Sequence, residues 1–582
     1  VNFRTKTPEW RQGPQASALA KYATGNRERT VHADAQYGKG RWGGLSSLTG
    51  SQFGDLQSGR RANPLYPYFW RRDSLVVRQE GEDRVVPNAD PFRQGPAGYH
   101  QWNLAQKVLF RPNDRNRHLL TALYTTSSDV PRYDRLTQDA DGYLTQSDFR
   151  HAAWYYGPQR QLVLGYGWER VSDARFWQQL RLKAFFTQLE ESRWNRRFGR
   201  PDLRGQEERV RTAGLRLDAL RDAGPFLLQA GAEAYYDRVR SAAHSRNIDT
   251  GERTAAATRY PDGSGLAQAG AYASVARQWA GWQASLGARL SWVGLQASFR
   301  DTTFFRFPFR DVRQRHQALT GGLNVERRWK TWRLQAVLSS AFRAPNIDDV
   351  GKVFDSRAGA SIILPNENLR AERALNAEVG VGRQQGAWAW SVQAYCSWLR
   401  GLVQVAPSQW LGQDSIWVDG VLTQVAANRN VGLARIYGLY AQGQYTAASG
   451  WGLRASATYT KGQQRSDASR PLGHIPPLLA QVEATGAWKR LGLRWRGFVQ
   501  YQGWKRWDEL ANDDEDRPTF AVAGRGYPAW FTLNARLEKP LGRQLTAVLG
   551  LDNLLDTHYR TFASGVNGMG RSASLTLRWA YR

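Results

Sequence analysis

One cysteine, Cys396, and one methionine, Met569, stand in a chain of 582 residues. A single thiol excludes an intrachain disulfide and any multi-thiolate zinc or iron–sulfur site. Scarce cysteine also suits an oxidising compartment such as the periplasm. No run of ~18 apolar residues occurs and mean hydropathy is −0.59, which excludes a bundle of transmembrane helices. A secretory leader is missing, and the opening VNFRTKTP reads as a start in mid-strand. The histidines (His32, His100, His118, His151, His244, His316, His474 and His558) form no His-x-x-x-His or His-x-x-Glu-His arrangement, so no preformed metal site is expected. Gly-x-Ser-x-Gly and a phosphate-cradling Gly-Lys-Ser/Thr are absent too, leaving no catalytic constellation and no expectation of an enzyme. The acidic run from Asp513 to Pro518 lacks calcium-loop spacing and reads as a solvated loop.

In excess are aromatic and basic residues. The chain holds 25 Trp, 24 Tyr and 22 Phe. Trp and Tyr gather where one end of a side chain is dry and the other wet, above all at membrane–water boundaries. Lys and Arg number 80 against 51 Asp and Glu, a formal charge of +29. Such an excess suits nucleic acid, an anionic ligand, or solvated loops facing anionic lipid head groups.

Alternation decides among these. The closing LTLRWAYR puts Leu575, Leu577, Trp579 and Tyr581 on one face, with Thr576, Arg578 and Arg582 on the other. In WAWSVQAYCSW, Trp388, Trp390, Val392, Ala394, Cys396 and Trp398 oppose Ser391, Gln393, Tyr395 and Ser397. TWRLQAVLSSAF, WGLRASATY and LGLRWRGFVQY repeat the pattern, and their polar faces carry Arg333, Arg454, Arg494 and Arg496. Strands of ~9–13 residues are about what a tilted strand needs to cross a bilayer. Trp388, Trp390, Leu575, Leu577 and Trp579 are therefore expected to face lipid, and Gln393, Thr576 and Arg578 a water-filled lumen. A β protein stacking on nucleic acid would set its aromatics among its basic residues, so nucleic acid is not an expected partner.

Connections point the same way. Tight turns at Gly38–Gly40, Pro112–Asn116, Asp222–Pro225, Ala280–Gly281, Gln384–Gly386, Ala447–Gly450 and Lys539–Gly542 alternate with long polar stretches, among them 52–98, 127–156, 237–266 and 343–371. Short turns at one end and long loops at the other mark an outer-membrane barrel. The expected fold is all-β: a transmembrane antiparallel barrel of about 22 strands over residues 17–582, with 1–16 leading into it. Backbone polar groups in lipid all need partners, so the last strand must close on the first. An apolar residue would fit just beyond Arg582, so the chain is expected to be trimmed by one or a few residues.

AFRAPNIDDVGKVFD followed by LPNENLRAE resembles the paired boxes of TonB-dependent outer-membrane receptors. The boxes fall on Phe342, Arg343, Ala344 and Pro345, then on Asn366, Asn368, Leu369 and Glu372, with Glu367 where the family usually has proline. GLDNLLDTHYR resembles the family's penultimate strand and its exit at Asn553, Leu554, Leu555 and Asp556. VNFRTKTP resembles the end of the family's plug, and VPRYDRLTQ and AAWYYGPQRQL are similar to receptors of the Bacteroidota. The resemblance implies an outer-membrane transporter, a plug and TonB box outside this chain, and coupling to periplasmic TonB. It also implies outer-membrane lipid and lipopolysaccharide around the barrel, and a surface lipoprotein as a further partner. The linked boxes are nearest those of haem, haemoglobin and transferrin receptors, yet Asn346 to Pro365 contain no histidine.

The expected activity is active import of a scarce nutrient, an anionic iron chelate such as a ferric siderophore or haem, with no permanently bound cofactor. A passive channel without a plug is the alternative. Candidate ligand residues are Arg132, Arg135, Trp154, Tyr155 and Tyr156, whose guanidinium and phenol donors suit an anionic chelate, with His151 and His244 as candidates for haem. Arg132 and Arg135 equally suit bracing of their loop through Asp134. The first box is expected to be structural, Arg343 pairing with Asp348, Asp349 or Glu372. Arg333, Arg454, Arg494, Arg496 and Arg578 would give the lumen a positive potential, unless plug carboxylates pair with them.

Overall fold

A chain of alternating faces has one way to hide every strand edge, which is to close on itself. In the computed structural model, residues 15–581 do so. The structure describes residues 5–581 except 11–12, 65–68, 140–147, 300–302, 305–308, 353, 356–360, 419–420, 466–468, 512–520 and 523, and no side chains at 354–355, 418, 421 and 469. Asp513–Pro518 and Arg582 thus lie outside the described residues.

The wall has 22 strands. They begin with β1 (Gln15–Ala23), β2 (Glu28–Lys39), β3 (Trp42–Phe53), β4 (Tyr99–Asn113) and β5 (Asn116–Ser127). Next come β6 (Arg160–Val171), β7 (Gln179–Arg197), β8 (Asp202–Ala223), β9 (Phe226–Asn247), β10 (Gly265–Trp279) and β11 (Trp282–Ser298). β12 (Asp311–Trp329), β13 (Trp332–Arg343), β14 (Glu372–Gln385), β15 (Trp388–Pro407), β16 (Val421–Thr446) and β17 (Gly452–Arg465) follow. β18 (Leu479–Trp488), β19 (Leu493–Gln502), β20 (Trp530–Pro540), β21 (Leu545–Asp552) and β22 (Ser572–Tyr581) complete it. Each pairs antiparallel with its neighbours in sequence order, and β22 returns to β1 from Ala16↔Tyr581 to Ala23↔Ser574. No helix among the described residues is long and apolar enough to cross a membrane; the strands do that work.

Register fixes the faces. Leu577 lies between Ala547 and Ala20, and Trp579 between Leu545 and Ala18, an outward apolar set. Arg578 lies between Thr546 and Leu19, facing in. Trp390 pairs with Arg383 and Gly443, whereas Gln393 pairs with Gly380 and Tyr440 on the opposite face. Outward tryptophans crowd the short-turn end, where Trp279 stacks on Trp282 and Trp329 on Trp332, beside Trp388, Trp451 and Trp488. That is the aromatic girdle of one membrane interface.

No connection at this end is longer than 172–178, and Ala280–Gly281 turns in the left-handed region at φ 41° and 80°, as a two-residue hairpin requires. The opposite end carries the long loops, together with two hairpins, 24–27 and 198–201, that the sequence pattern did not mark.

Strand length departs from expectation. β7, β8 and β9 have 19, 22 and 22 residues and β16 has 26, so they project well past the bilayer. Dry packing sits out there rather than in the lumen. Leu295, Ala297, Phe299, Val312, Ile347, Val350 and Leu369 form one buried cluster, and Tyr527 and Leu510 form another with Trp70, Trp507 and Phe562. At the other end residues 5–10 run inside the wall, with Lys6 on Asp34 at 2.7 Å and Lys107 on the Lys6 carbonyl at 2.6 Å. Gly38 and Gly43 admit this segment, since a Cβ at either would strike the Glu9 carbonyl.

Candidate site at the mouth of the barrel

The projecting strands carry polar residues on both faces, and the inward ones converge. Tyr156 pairs with Arg193 and Trp154 with Asn195, which turns both rings inward beside Arg193. Arg132 lies 5.0 Å from the Trp154 ring and 5.2 Å from that of Tyr156, whose hydroxyl accepts from its Nη1. Its Nε and Nη2 donate to Asp134 at 2.7 and 2.6 Å. Arg193 pairs with Glu191 at 2.6 Å and Glu208 at 3.2 Å.

From the β9–β10 loop, the Tyr260 hydroxyl donates to Asp348 at 2.6 Å and Arg259 approaches the same carboxylate at 3.4 Å. Lys352 reaches it at 3.1 Å. Arg259 also acts electrostatically on Glu208, which joins the two halves into one cluster of arginines, phenols and carboxylates.

Burial controls the protonation here. It pushes the Glu208 carboxyl up to about 7 against the pull of Arg193 and Arg259, and among the described residues its Oε1 accepts no hydrogen bond. Burial opposes ionisation of Asp348 as well, but Lys352, the Tyr260 hydroxyl and Arg259 together hold it below the usual carboxylate range. The cluster can therefore offer guanidinium and phenol donors to an anion while one of its own acids changes charge near neutrality.

The candidates read from sequence divide between faces. Arg132, Trp154 and Tyr156 belong to the cluster. Tyr155 points outward, its ring 6.4 Å from and nearly parallel to Trp194, against which His244 packs edge-on at 5.3 Å. Arg135 donates to Gln138 at 3.3 Å. His151 is partly buried, and loss of solvation with Arg150, Arg135 and Arg197 pushes it down to about 3, so it stays neutral. Residues 193, 208, 259 and 260 did not show in the sequence, because no motif links them, and Asp348 showed there only as a partner for Arg343. Their available signal was charge on both faces of "QLEESRWNRR", which a strand inside lipid does not tolerate.

The paired boxes hold a loop. Arg343 grips both oxygens of Asp349 at 2.7 Å and reaches Glu372 at 3.0 Å, while Asp348 goes to the cluster instead. Asn346 caps the short helix α1 (Ile347–Gly351) in a capping box with Asp349. Ala344 leads into buried Pro345, Phe342 lines the outer wall, and Leu369 is buried in the first cluster. Asn366 donates to the Asn428 carbonyl at 2.7 Å, and its Oδ1 accepts from the Asn368 backbone at 2.9 Å.

The lumen arginines are compensated by the wall itself. Arg333 meets Glu326 at 2.6 Å, Arg496 meets Glu483 at 2.5 Å, and Arg494 and Arg578 share Glu538 at 3.2 and 2.7 Å. Arg454 donates to Gln444 at 3.2 Å. The expected positive potential is correspondingly reduced, without plug carboxylates. Among the described residues no group of three His, Cys, Asp or Glu could hold a metal ion.

Residues 101–554 match the family described as TonB dependent receptor-like, beta-barrel. No curated protein matches in sequence. Among solved structures, the copper transporter OprC is similar with TM-score 0.75 and 16% identity over 99% of this chain and 82% of that one. The ferric yersiniabactin uptake receptor FyuA of Yersinia pestis gives 0.67 and 14% over 99% and 81%. The hemophore receptor HasR of Serratia marcescens, in complex with its hemophore HasA and heme, gives 0.69 and 14% over 98% and 81%.

Proposed function

The chain belongs to the TonB-dependent receptors, and we propose that within this family it imports an anionic ferric chelate of the siderophore type, captured at the mouth of the barrel. Active transport across the outer membrane follows from the family, which comprises receptors and transporters, not enzymes. The cargo class rests on one observation, the convergence of Arg132, Arg193 and Arg259 with Tyr156 and Tyr260. Guanidinium groups match carboxylate, catecholate and hydroxamate oxygens through paired donors.

Similar structures carry other cargoes, and residue chemistry separates them. A bare copper ion asks for soft sulfur or imidazole ligands. Here Cys396 lies on the lipid face, and Met569 packs against Gly25. Haem is disfavoured because the His151 Nδ1 is shut off from solvent and His244 faces outward.

Uptake of radioactive iron as a panel of ferric chelates, as haem, and of copper, in a deletion strain carrying the full-length receptor, tests this reading. Tyr156→Ala should lower uptake of the anionic chelate about ten-fold, a loss the size of one or two charge-assisted contacts. Tyr155→Ala should leave uptake unchanged. Copper or haem as the sole rescued cargo would overturn the proposal.

A further inference from the structure

Four long loops meet around one buried guanidinium. Arg560 in the β21–β22 loop is 3% exposed, and its Cζ lies 4.3 Å from the ring of Trp70 in the β3–β4 loop. Tyr527 of the β19–β20 loop and Tyr133 of the β5–β6 loop are both buried and act on it electrostatically. Its Nε donates to the Asn567 Oδ1 at 2.8 Å, and Asn567 in turn donates to the Trp70 carbonyl at 2.8 Å. Among the described residues nothing accepts from its Nη1.

Full burial without an acceptor sets this arginine apart. Three arginines are buried among the described residues. Arg196 holds Asp83 at 2.6 and 2.7 Å. Arg72 gives its donors to the carbonyls of Ser74, Gly95 and Leu136 at 3.3, 2.6 and 3.3 Å. Arg560 has one amide oxygen and no carboxylate; Asp134, which acts on it from a distance, is already held by Arg132. Arg111 and Arg204 also keep an Nε with no acceptor, but they are partly exposed and share their charge with water.

The surroundings offer further donors. The Tyr133 hydroxyl makes no hydrogen bond among the described residues, and neither does the Nε2 of buried Gln502. Gln502 is tied to the same place through its Oε1, which accepts from the Phe562 backbone at 3.0 Å, and the Phe562 ring lies 5.0 Å from that of Tyr527. Gln502 shares the inward face of β19 with Arg494 and Arg496, so the cluster lies inside the mouth, away from lipid.

A guanidinium out of water needs a counter-charge. Burial draws Arg560 down only to about 10, so it is charged at neutral pH. Water would leave that charge uncompensated, and its own protons would need acceptors where the unused groups are donors. A dianion such as sulfate would exchange a buried positive charge for a buried negative one. A monovalent, acceptor-only ion meets both demands.

We propose that a single halide ion, chloride in the natural surroundings, binds at the Arg560 Nη1, with the Tyr133 hydroxyl and the Gln502 amide as neutral donors, and fastens the four loops to one another. The site is separate from the cargo arginines, and the proposal holds whatever the cargo is.

The test uses the full-length receptor in detergent. Anomalous scattering from crystals grown in bromide should show one peak within about 3.5 Å of the Arg560 Nη1. In solution, proteolysis within 558–567 is timed in chloride and in gluconate of equal ionic strength. Chloride at about ten times its Kd should slow cleavage about ten-fold, since a ligand of the closed state multiplies the closed-to-open ratio by about 1 + [L]/Kd. Arg560→Met should abolish the difference. Tyr133→Phe keeps the ring and removes only the hydroxyl; it should raise the Kd for chloride several-fold, and it serves if the arginine variant does not fold. Arg111→Gln, at the short-turn end of the barrel, should respond as wild type. A bromide peak with no effect in solution would mean an adventitious ion only and would overturn the proposal. So would equal cleavage in chloride and gluconate, tighter binding of sulfate than of chloride, or a water molecule or a carboxylate of residues 513–516 in the halide's place.

Discussion

Glu208 is the residue through which pH should act on capture. Its carboxyl is neutral below about 7 because burial outweighs Arg193 and Arg259. The folded value is raised, so the group contributes stability below its unfolded value that is lost as pH rises through 7. The same ionisation adds a negative charge to the cluster. Affinity for an anionic chelate is therefore expected to fall several-fold between about pH 6 and 8, and Glu208→Gln should flatten that profile. Titration calorimetry across this range measures both. His151 runs the other way: held near 3, it contributes stability above its unfolded value of 6.5 that fades as pH falls toward 3. Amide protection factors of residues 151–156 should accordingly fall in acid while those of β22 do not.

At the scale of the element, the strands combine two structures. Their lower parts alternate cleanly, because lipid on one side and water on the other punish any slip of register. Above the bilayer both faces meet water, alternation loses its meaning, and length can no longer be read from hydropathy. That is why β8 and β9 run to 22 residues where about a dozen were expected. The paired boxes belong to this upper region. Asn430 accepts from the Arg370 backbone at 2.7 Å and donates to the carbonyls of Arg370 and Gly401 at 2.8 and 2.7 Å. Asn430→Ala should release the end of the β13–β14 loop at a cost of about 2 kcal/mol, roughly 1 kcal/mol per net hydrogen bond lost less relaxation. Half-exposed Arg343, replaced by alanine, should cost less, since water screens its ion pairs. Limited proteolysis within 344–371 ranks the two variants, and a greater effect of Arg343→Ala would reverse that order.

The whole molecule is a closed wall around a wide lumen. Strand number sets diameter, and wall side chains do not fill a barrel of this size. Residues 1–582 alone are expected to conduct in a planar bilayer, and the receptor with its plug should be silent and import only with TonB and the proton motive force. Glu326, Glu483 and Glu538 neutralise much of the inner arginine charge, so the anion preference, read as reversal potential in a salt gradient, should be modest. An electrically silent barrel would mean that the loops themselves block the lumen.

Sequence alone determined the barrel, the closure of its last strand on its first and the face of Trp390, Gln393 or Arg578, because a period of two against two solvents is a local property. It also singled out Arg132 and Tyr156, which the structure brings into contact at the mouth. Only the tertiary structure decided that Tyr155 and His244 face away, that Glu208, Arg259 and Asp348 meet, and that Arg333, Arg494, Arg496 and Arg578 find carboxylates. Those outcomes depend on which strands become neighbours and how far each projects, and cross-strand contacts between residues hundreds of positions apart leave no periodic trace in the chain.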